Sequence, residues 1–416
     1  MRLVDIVNPF SWNKKRDFSL ENPKYGLSDP RVVNLLQSGQ PASSGVHVNE
    51  EISMSMSTVF ACVKVISESV AELDFHIRKR EGPTRVVDES HPLYWMLFRE
   101  PSPLYNSFDF FQTLLTHVLL WGNAYAQIIR NKFAQPIELV IIEPWNVDAK
   151  RLDDGAIFYE VREKGVIKDN VLSSNMIHVK NLGTNGLVGR SPIGIQRESL
   201  GNAIAMDRYE GDFYKNGSKH SGVIMTPGHF SEEATKNIEQ SFEEKFKGLG
   251  KQFKTIFLED GVKYQQLTIP QQDAQFLENR KFHRSEIAGW FRVPLHLIQD
   301  LERATFSNIA DQDRAFAKYT ISPWCSRIQQ EIDRKVFFKE EKRTWFTEFD
   351  MDQITRGDAK TRAEISEIEI RSGVSTVNEE RRKRSKQDVE GGNEPLVNQA
   401  LIPLSLLGKE LSQNLN

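Results

Sequence analysis

Apolar residues recur along this chain of 416 residues in two rhythms, helical and alternating. Between residues 53 and 73, Val59, Cys62, Val63, Ile66, Val70 and Leu73 fall on one helical face. Residues 75–78 then alternate as a strand does. His91-Pro92 opens a short segment carrying Leu93, Trp95, Met96 and Leu97. Ser107 is the expected N-cap of a strongly apolar helix over 108–121, which Gly122-Asn123 ends. Residues 124–130 and 137–142 read as strands joined through 131–136, and 157–161 and 176–180 as further strands. Helices followed by strands give an α+β domain ending near Lys180.

Beyond it the pattern thins. Ser191-Pro192 is a good N-cap and first-turn pair, and Asn216-Gly217 is a stop signal. About 24 residues at about 1.5 Å rise predict a rod of ~36 Å. Its apolar positions are sparse: Ile195, Leu200, Ile204 and Phe213, with Tyr209 between. Such a rod suits packing against copies of itself better than a monomer core. A second long helix starts at Asp273 and is stopped by Val293-Pro294, because proline disfavours a helical residue before it. Phe276, Leu277, Ile287, Trp290 and Phe291 recur at roughly helical spacing, and Arg280, Lys281, His283, Arg284 and Arg292 give it a cationic side.

Between the rods lies a small α/β insert: a strand at 223–225, a charged helix over 231–246, and a hairpin through Asp260-Gly261. After them comes a polar, charged loop over 301–308, then a helical pattern with Phe316, Tyr319 and Ile321. Residues 325–338 are amphipathic, 344–350 read as a strand, 358–370 as a helix, and another helix starts after Gly373. Residues 1–50 are poor in apolar side chains and read as a mobile arm; the tail from Glu390 reads as weakly ordered.

Composition narrows the chemistry. The formal charge of −3 excludes a gross polyanion binder. Two cysteines, Cys62 and Cys325, exclude a disulfide framework and a cysteine-rich zinc module. Cys62 lies on an apolar helix face and reads as a buried small hydrophobe rather than a reactive thiol. No secretory h-region stands at the N-terminus, and the apolar runs at 114–121 and 137–142 fall far short of the ~20 residues that a membrane span needs, so a soluble intracellular protein is expected. His178 lacks a second His or carboxylate at ligand spacing, so a structural role is expected. Gly183–Gly186 lacks a dinucleotide fingerprint, and the Gly248-Leu-Gly-Lys251 run fails as a phosphate loop. Asp350 and Asp352 after a strand could hold magnesium in a nuclease, but further acidic ligands are wanting, and a strand-end turn is the plainer reading. Likewise the run Arg381–Arg384 reads as a solvated helix end before it reads as a DNA contact.

Six pieces, taken in order, resemble one family. They are Gly189-Arg-Ser-Pro-Ile193, Asn216-Gly217, Gln275-Phe-Leu-Glu-Asn-Arg280, Val293-Pro-Leu-His-Leu-Ile298, Ser307-Asn308 and Ser322-Pro-Trp324. Their order and spacing are similar to those of tailed-bacteriophage portal proteins, in the siphophage branch with a short clip, over about residues 53–396. The resemblance implies an α+β subunit with an α/β wing, two long stem helices, a small α/β clip insert and a helical crown, assembling into a ring. It implies a mobile arm over 1–50, wing 51–188, stem 189–217, clip 218–269, stem 270–293, channel loop and supporting helix 294–318, wing return 319–355, and crown with tail 356–416. It further implies a dodecamer at one capsid vertex of the virion, assembled in the host cytoplasm. Its partners would be terminase large subunit, capsid and scaffold proteins, a head–tail adaptor and passing double-stranded DNA, with no enzyme activity, no cofactor and no membrane.

Geometry agrees with a conduit. Twelve helices spaced ~10 Å give a circumference of ~120 Å and a bore near ~28 Å, enough for a duplex roughly 20 Å across. A conduit must let DNA slide, which suits a near-neutral chain with a few cations. Arg303 is then expected nearest DNA, with Asn308 on the same loop and Arg314 and Lys318 behind it, while Arg280, Lys281 and Arg284 mark the stem faces. Alternatively Arg303 pairs with Asp300 or Glu302 on a solvated loop. Two rivals stay open: a metal-dependent nuclease using Asp350 and Asp352, and a non-ring helical scaffold.

Overall fold

The computed structural model describes residues 42–82, 84–215, 222–225, 233, 236, 263–266, 273–301, 306–355, 359–384 and 386–396. The chain enters through α1 (Glu50–Met54), capped by Asn49, and α2 (Ser57–Ala71). The expected apolar face of α2 is realised: Val59, Cys62, Val63, Ile66 and Val70 are all buried. β1 (Phe75–Glu81) and β2 (Thr84–Val87) pair antiparallel, and α3 (Tyr94–Phe98) follows. α4 (Ser107–Trp121) packs on α2. Its N-cap is Asn106, whose side chain accepts from Asp109 N–H, so the cap stands one residue earlier than Ser107. Asparagine is as good a cap as serine, and here its oxygen is the one in reach.

Gly122 ends α4 at φ +76°, and a Cβ there would stand 2.3 Å from the Arg190 backbone; only glycine fits both demands. β3 (Asn123–Arg130) and β4 (Pro136–Ile142) form the hairpin foreseen through 131–136, and β8 (Met176–Lys180) closes a three-stranded sheet in the order β4-β3-β8. Before β8, a second antiparallel sheet runs β5 (Val147–Arg151), β6 (Ile157–Glu163), β7 (Val166–Leu172). Of these only β6 is legible in the apolar pattern, because β7 exposes nearly every side chain.

His178 is structural. Its ring is buried, with Nδ1 3.2 Å from the Tyr159 hydroxyl and Nε2 3.0 Å from Asn123 Oδ1, and burial holds its pKa well below the ordinary value. Asn123 also accepts from Gly189 N–H at 2.7 Å and donates to Gly189 O at 2.8 Å, which fixes where the chain leaves the sheets.

The rod expected over 192–215 is two helices, α5 (Pro192–Ile195) and α6 (Arg197–Lys215), broken at Gln196. Ser191 caps α5 as expected, but its hydroxyl also donates to Leu120 O at 2.6 Å, so α5 is tied down on the end of α4 while α6 follows its own contacts. β9 (Gly222–Met225) pairs antiparallel with β10 (Lys263–Gln266). The expected hairpin through Asp260-Gly261 and nearly all of the 231–246 helix lie outside the described residues. α7 (Asp273–Phe291) has the predicted bounds to within two residues.

α8 (Phe306–Phe316) runs through a π turn, Ala317–Ile321, into α9 (Ser322–Lys335). β11 (Trp345–Phe349) pairs with β1, placing Phe349 against Phe75 and Phe111 at ring-centroid distances of 4.4 and 5.1 Å. α10 (Asp352–Thr355), α11 (Ala359–Arg371) and α12 (Val377–Lys383) complete the elements; Thr376 and Glu379 close a capping box.

Two boundary expectations are corrected. Residues 42–49 belong to the core, not to an arm: Ala42, Val46 and Val48 are buried, Ser43 N–H donates to Glu198 at 2.8 Å, and Gly201 is bare because a Cβ would meet Ala42 at 2.3 Å. The tail is likewise ordered to residue 396. Buried Asn378 donates to Val389 O and Asn393 Oδ1 and accepts from Val389 N–H, and its backbone N–H reaches Gly392 O. A single large core joins α2, α4, the β4-β3-β8 sheet, α9 and β11.

Candidate functional site

The two long helices, α6 and α7, have one buried end and one exposed end. At the buried end, Leu200, Ala203 and Ile204 of α6 are buried, as are Ile287, Ala288 and Phe291 of α7, and most of them join the main core. The expectation that these rods are unsuited to a monomer core therefore fails for this end. Few apolar residues are needed because α2 and the segment 42–49 cover them. Ser199 Oγ donates to Glu286 at 2.7 Å across the pair, and Glu286 lies 3.4 Å from His283 Nδ1.

At the other end the helices stand in solvent. Asp207, Arg208, Asp212, Lys281 and Phe282 are exposed; Tyr209 is 45% and Phe282 64% accessible. An ion pair across the exposed end joins Arg280 to Glu210, at 3.1 Å. Phe276 and Leu277 lie on α7, but their side chains are outside the described set.

The turn after α7 is held from both sides. Arg292 adopts φ +55°, with its N–H on Gly289 O and Val293 N–H on Ala288 O, a Schellman-type end built without glycine. Its carbonyl accepts from Thr320 Oγ1 at 2.8 Å, and its guanidinium reaches Tyr319 O at 3.4 Å. Both partners sit in the π turn. That turn precedes Pro323, which has no N–H to give the Tyr319 carbonyl four residues back, and the helix widens there so that Ser322 N–H reaches Ala317 O. His296, nearly buried, bridges Gln312 at 2.9 Å and Asp313 at 2.8 Å, clasping α8 to the turn. Arg284 pairs with Asp300 at 3.3 Å. A groove of about 580 Å³ runs between α7, this turn and α8, with Ser285, Gly289, Arg292, Phe316 and Tyr319 among its walls.

The expected channel residues are distributed unevenly over this frame. Arg303 lies outside the described residues. Asn308 falls in the first turn of α8, so helix replaces the last part of the expected 301–308 loop; its side chain is outside the described set. Arg314 is exposed on α8 and donates to Asp311 at 2.7 Å and Ala310 O at 3.3 Å. Lys318 lies in the π turn, 5.2 Å from the Tyr319 ring centroid. Of the cationic positions on α7, Arg280 and Arg284 are ion-paired within the subunit, and Lys281 lines the groove. Sequence reading missed the His296 clasp and the π turn. Pro323, one turn after Tyr319, was the available signal for the turn; nothing local marks His296, whose partners are 16 and 17 residues away.

The remaining chemistry is structural. Asp350 accepts from Asp352 N–H at 3.0 Å, the plain strand-end turn, and no cluster of three metal-capable side chains occurs among the described residues. Burial pushes the Cys62 and Cys325 thiols up to about 12. Arg382 pairs with Asp388, Lys383 with Glu380, and Arg384 reaches Ser366, so the basic run is spent within the subunit. No described helix is long and apolar enough to cross a membrane.

A mixed helix–sheet body from which two sparse, charged helices project is an assembly subunit. The model of the phage portal protein family matches residues 57–384, and the chain belongs to that family. It is 30% identical over 390 residues to the portal protein of Enterobacteria phage HK97, covering 91% of each chain. It is 29% identical over 391 residues to the probable portal protein of Streptomyces phage phiC31, covering 91% of this chain and 83% of that one. Its fold is similar to the crystal structure of an HK97 family phage portal protein from Corynebacterium diphtheriae, with TM-score 0.57, 13% identity and coverage of 77% and 99%. It is also similar to a chain in the neck of a native gene transfer agent particle computed with C12 symmetry, with TM-score 0.54, 19% identity and coverage of 88% and 100%. The chain is thus a portal protein, a structural component of the virion.

Proposed function

We propose that this portal protein assembles head to tail into a dodecameric ring at one capsid vertex, through which double-stranded DNA is packaged and later ejected. The observation that carries this reading is the half-bare helix pair. Its inner end is satisfied by the subunit's own core, while its outer end presents Tyr209, Phe282 and a row of charges to solvent. A heterologous contact repeated by rotation closes such surfaces into a ring.

In this reading residues 51–188 and 319–355 are the wing, 189–217 and 270–293 the stem, 218–269 the clip, 294–318 the channel loop with its supporting helix, and residues from 356 the crown. The buried segment 42–49 moves from the arm to the wing. Arg303 lies nearest DNA, with Asn308, Arg314 and Lys318 behind it. The clip is the platform for terminase large subunit and later the head–tail adaptor, and capsid and scaffold proteins meet the outer surface during assembly in the host cytoplasm. The subunit does mechanical work and no bond-breaking chemistry. No observation favours a nuclease at Asp350 and Asp352.

Negative-stain electron microscopy of the purified protein tests the reading. Rings with a central hole wide enough for a duplex are expected; uniformly small particles without a hole would overturn it. Replacing Arg303 with alanine should alter DNA packaging in a complementation assay while rings still form, and normal packaging would remove that residue from the channel.

A further inference from the structure

Two exposed helix-interior glycines have no explanation within the subunit. Gly211 on α6 and Gly289 on α7 have nothing within 4 Å of a built Cβ. Glycine weakens a helix interior relative to alanine, so folding of the single subunit would favour a larger residue at either site. Gly289 is also a wall of the groove beside α7, between Ser285 and Arg292. Around that groove stand exposed apolar side chains, Tyr319 at 57% and Leu301 at 60%, with Phe282 further along α7.

We propose that this groove is the seat for α6 of a second copy of the chain. The inference rests on the ring reading and names the surface that closes it. Charge supports the choice of occupant. The groove carries Lys281 and Arg292, and its one acid among the described residues, Asp300, is paired with Arg284. The exposed half of α6 carries Asp207, Glu210 and Asp212 against Arg208; Glu210 is held by Arg280, while Asp207 and Asp212 have no ion-pair partner among the described residues. A bare Gly289 lets the neighbouring helix approach, and a bare Gly211 does the same from the other side.

The test uses the full chain. Gly289→Trp has room in the isolated subunit and should leave its thermal melt unchanged, while cutting the fraction found in rings at least tenfold. Asp212→Lys should weaken assembly, and Lys281→Asp in the same chain should restore it in part. A thiol probe gives a readout that does not depend on the bulky variant folding. Ser285→Cys should react with a maleimide at least tenfold more slowly in rings than in dissociated subunits. The native thiols at Cys62 and Cys325 are buried and will not compete. Rings that form normally with Gly289→Trp, or a Ser285→Cys thiol equally reactive in both states, would overturn the seat. If the unaltered chain makes no rings at all, the ring reading itself fails.

Discussion

The inner and outer halves of the α6–α7 pair contrast sharply. Inside, Leu200, Ile204, Ile287 and Phe291 are sealed by α2 and by residues 42–49. Outside, an exposed ion pair and two half-bare aromatic rings stand where a core would otherwise be. The helices are continuous across both halves, so the difference is not one of secondary structure. It lies in what covers them. One half is finished by folding, the other is left for a copy of the same chain, and each should answer differently to substitution.

The largest effect is expected inside. Leu200→Ala or Ile287→Ala should cost the subunit about 2–5 kcal/mol in chemical denaturation, the range for a large-to-small change in a packed core. A loss below about 1 kcal/mol would mean that the inner half is no more packed than the outer.

Acid should act on the same packed region. His117 on α4 is buried, its Nδ1 has no hydrogen-bond partner among the described residues, and burial lowers its pKa from 6.5 to about 4. The unfolded chain therefore binds a proton that the folded chain refuses between those values. Stability from this residue is complete above about pH 6.5 and falls away as pH drops towards 4, by at most about 3 kcal/mol. His178 is shifted in the same direction. Melts from pH 7 to 4 should show this slope, and His117→Phe should flatten part of it; an unchanged slope would remove His117 from the account.

Outside, Tyr209→Ser and Phe282→Ser should move the melt of the isolated subunit by no more than about 0.5 kcal/mol, as surface changes do. The same variants should lower the yield of rings. Smallest of all is Arg280→Gln, which breaks an exposed pair and should change subunit stability by about 0.2–1 kcal/mol, less in high salt. A larger loss would show that the outer half is held by the subunit after all.

Local signals made much of this fold legible. Gly122, Ser191-Pro192, Val293-Pro294 and the Thr376 cap mark their helix ends in the residues themselves, and the apolar faces of α2 and α9 follow from spacing. What escaped depends on distant partners. Residues 42–49 look like an arm until Gly201, more than 150 positions away, is seen to be shaped for Ala42. Gln196 breaks a helix because Ser191 is bound to Leu120. The tail is ordered by one side chain, Asn378. For the site, the cationic positions on α7 were found, but Arg280 and Arg284 turned out to be committed within the subunit, since no spacing rule reveals Glu210 or Asp300 as their partners.

The most direct test is the mass of the purified protein in solution, followed by sedimentation velocity over a hundredfold range of concentration. The account predicts a closed assembly near twelve times the 47.8 kDa subunit, dissociating without unfolding when the outer half is altered. A single 47.8 kDa species at every concentration would contradict it.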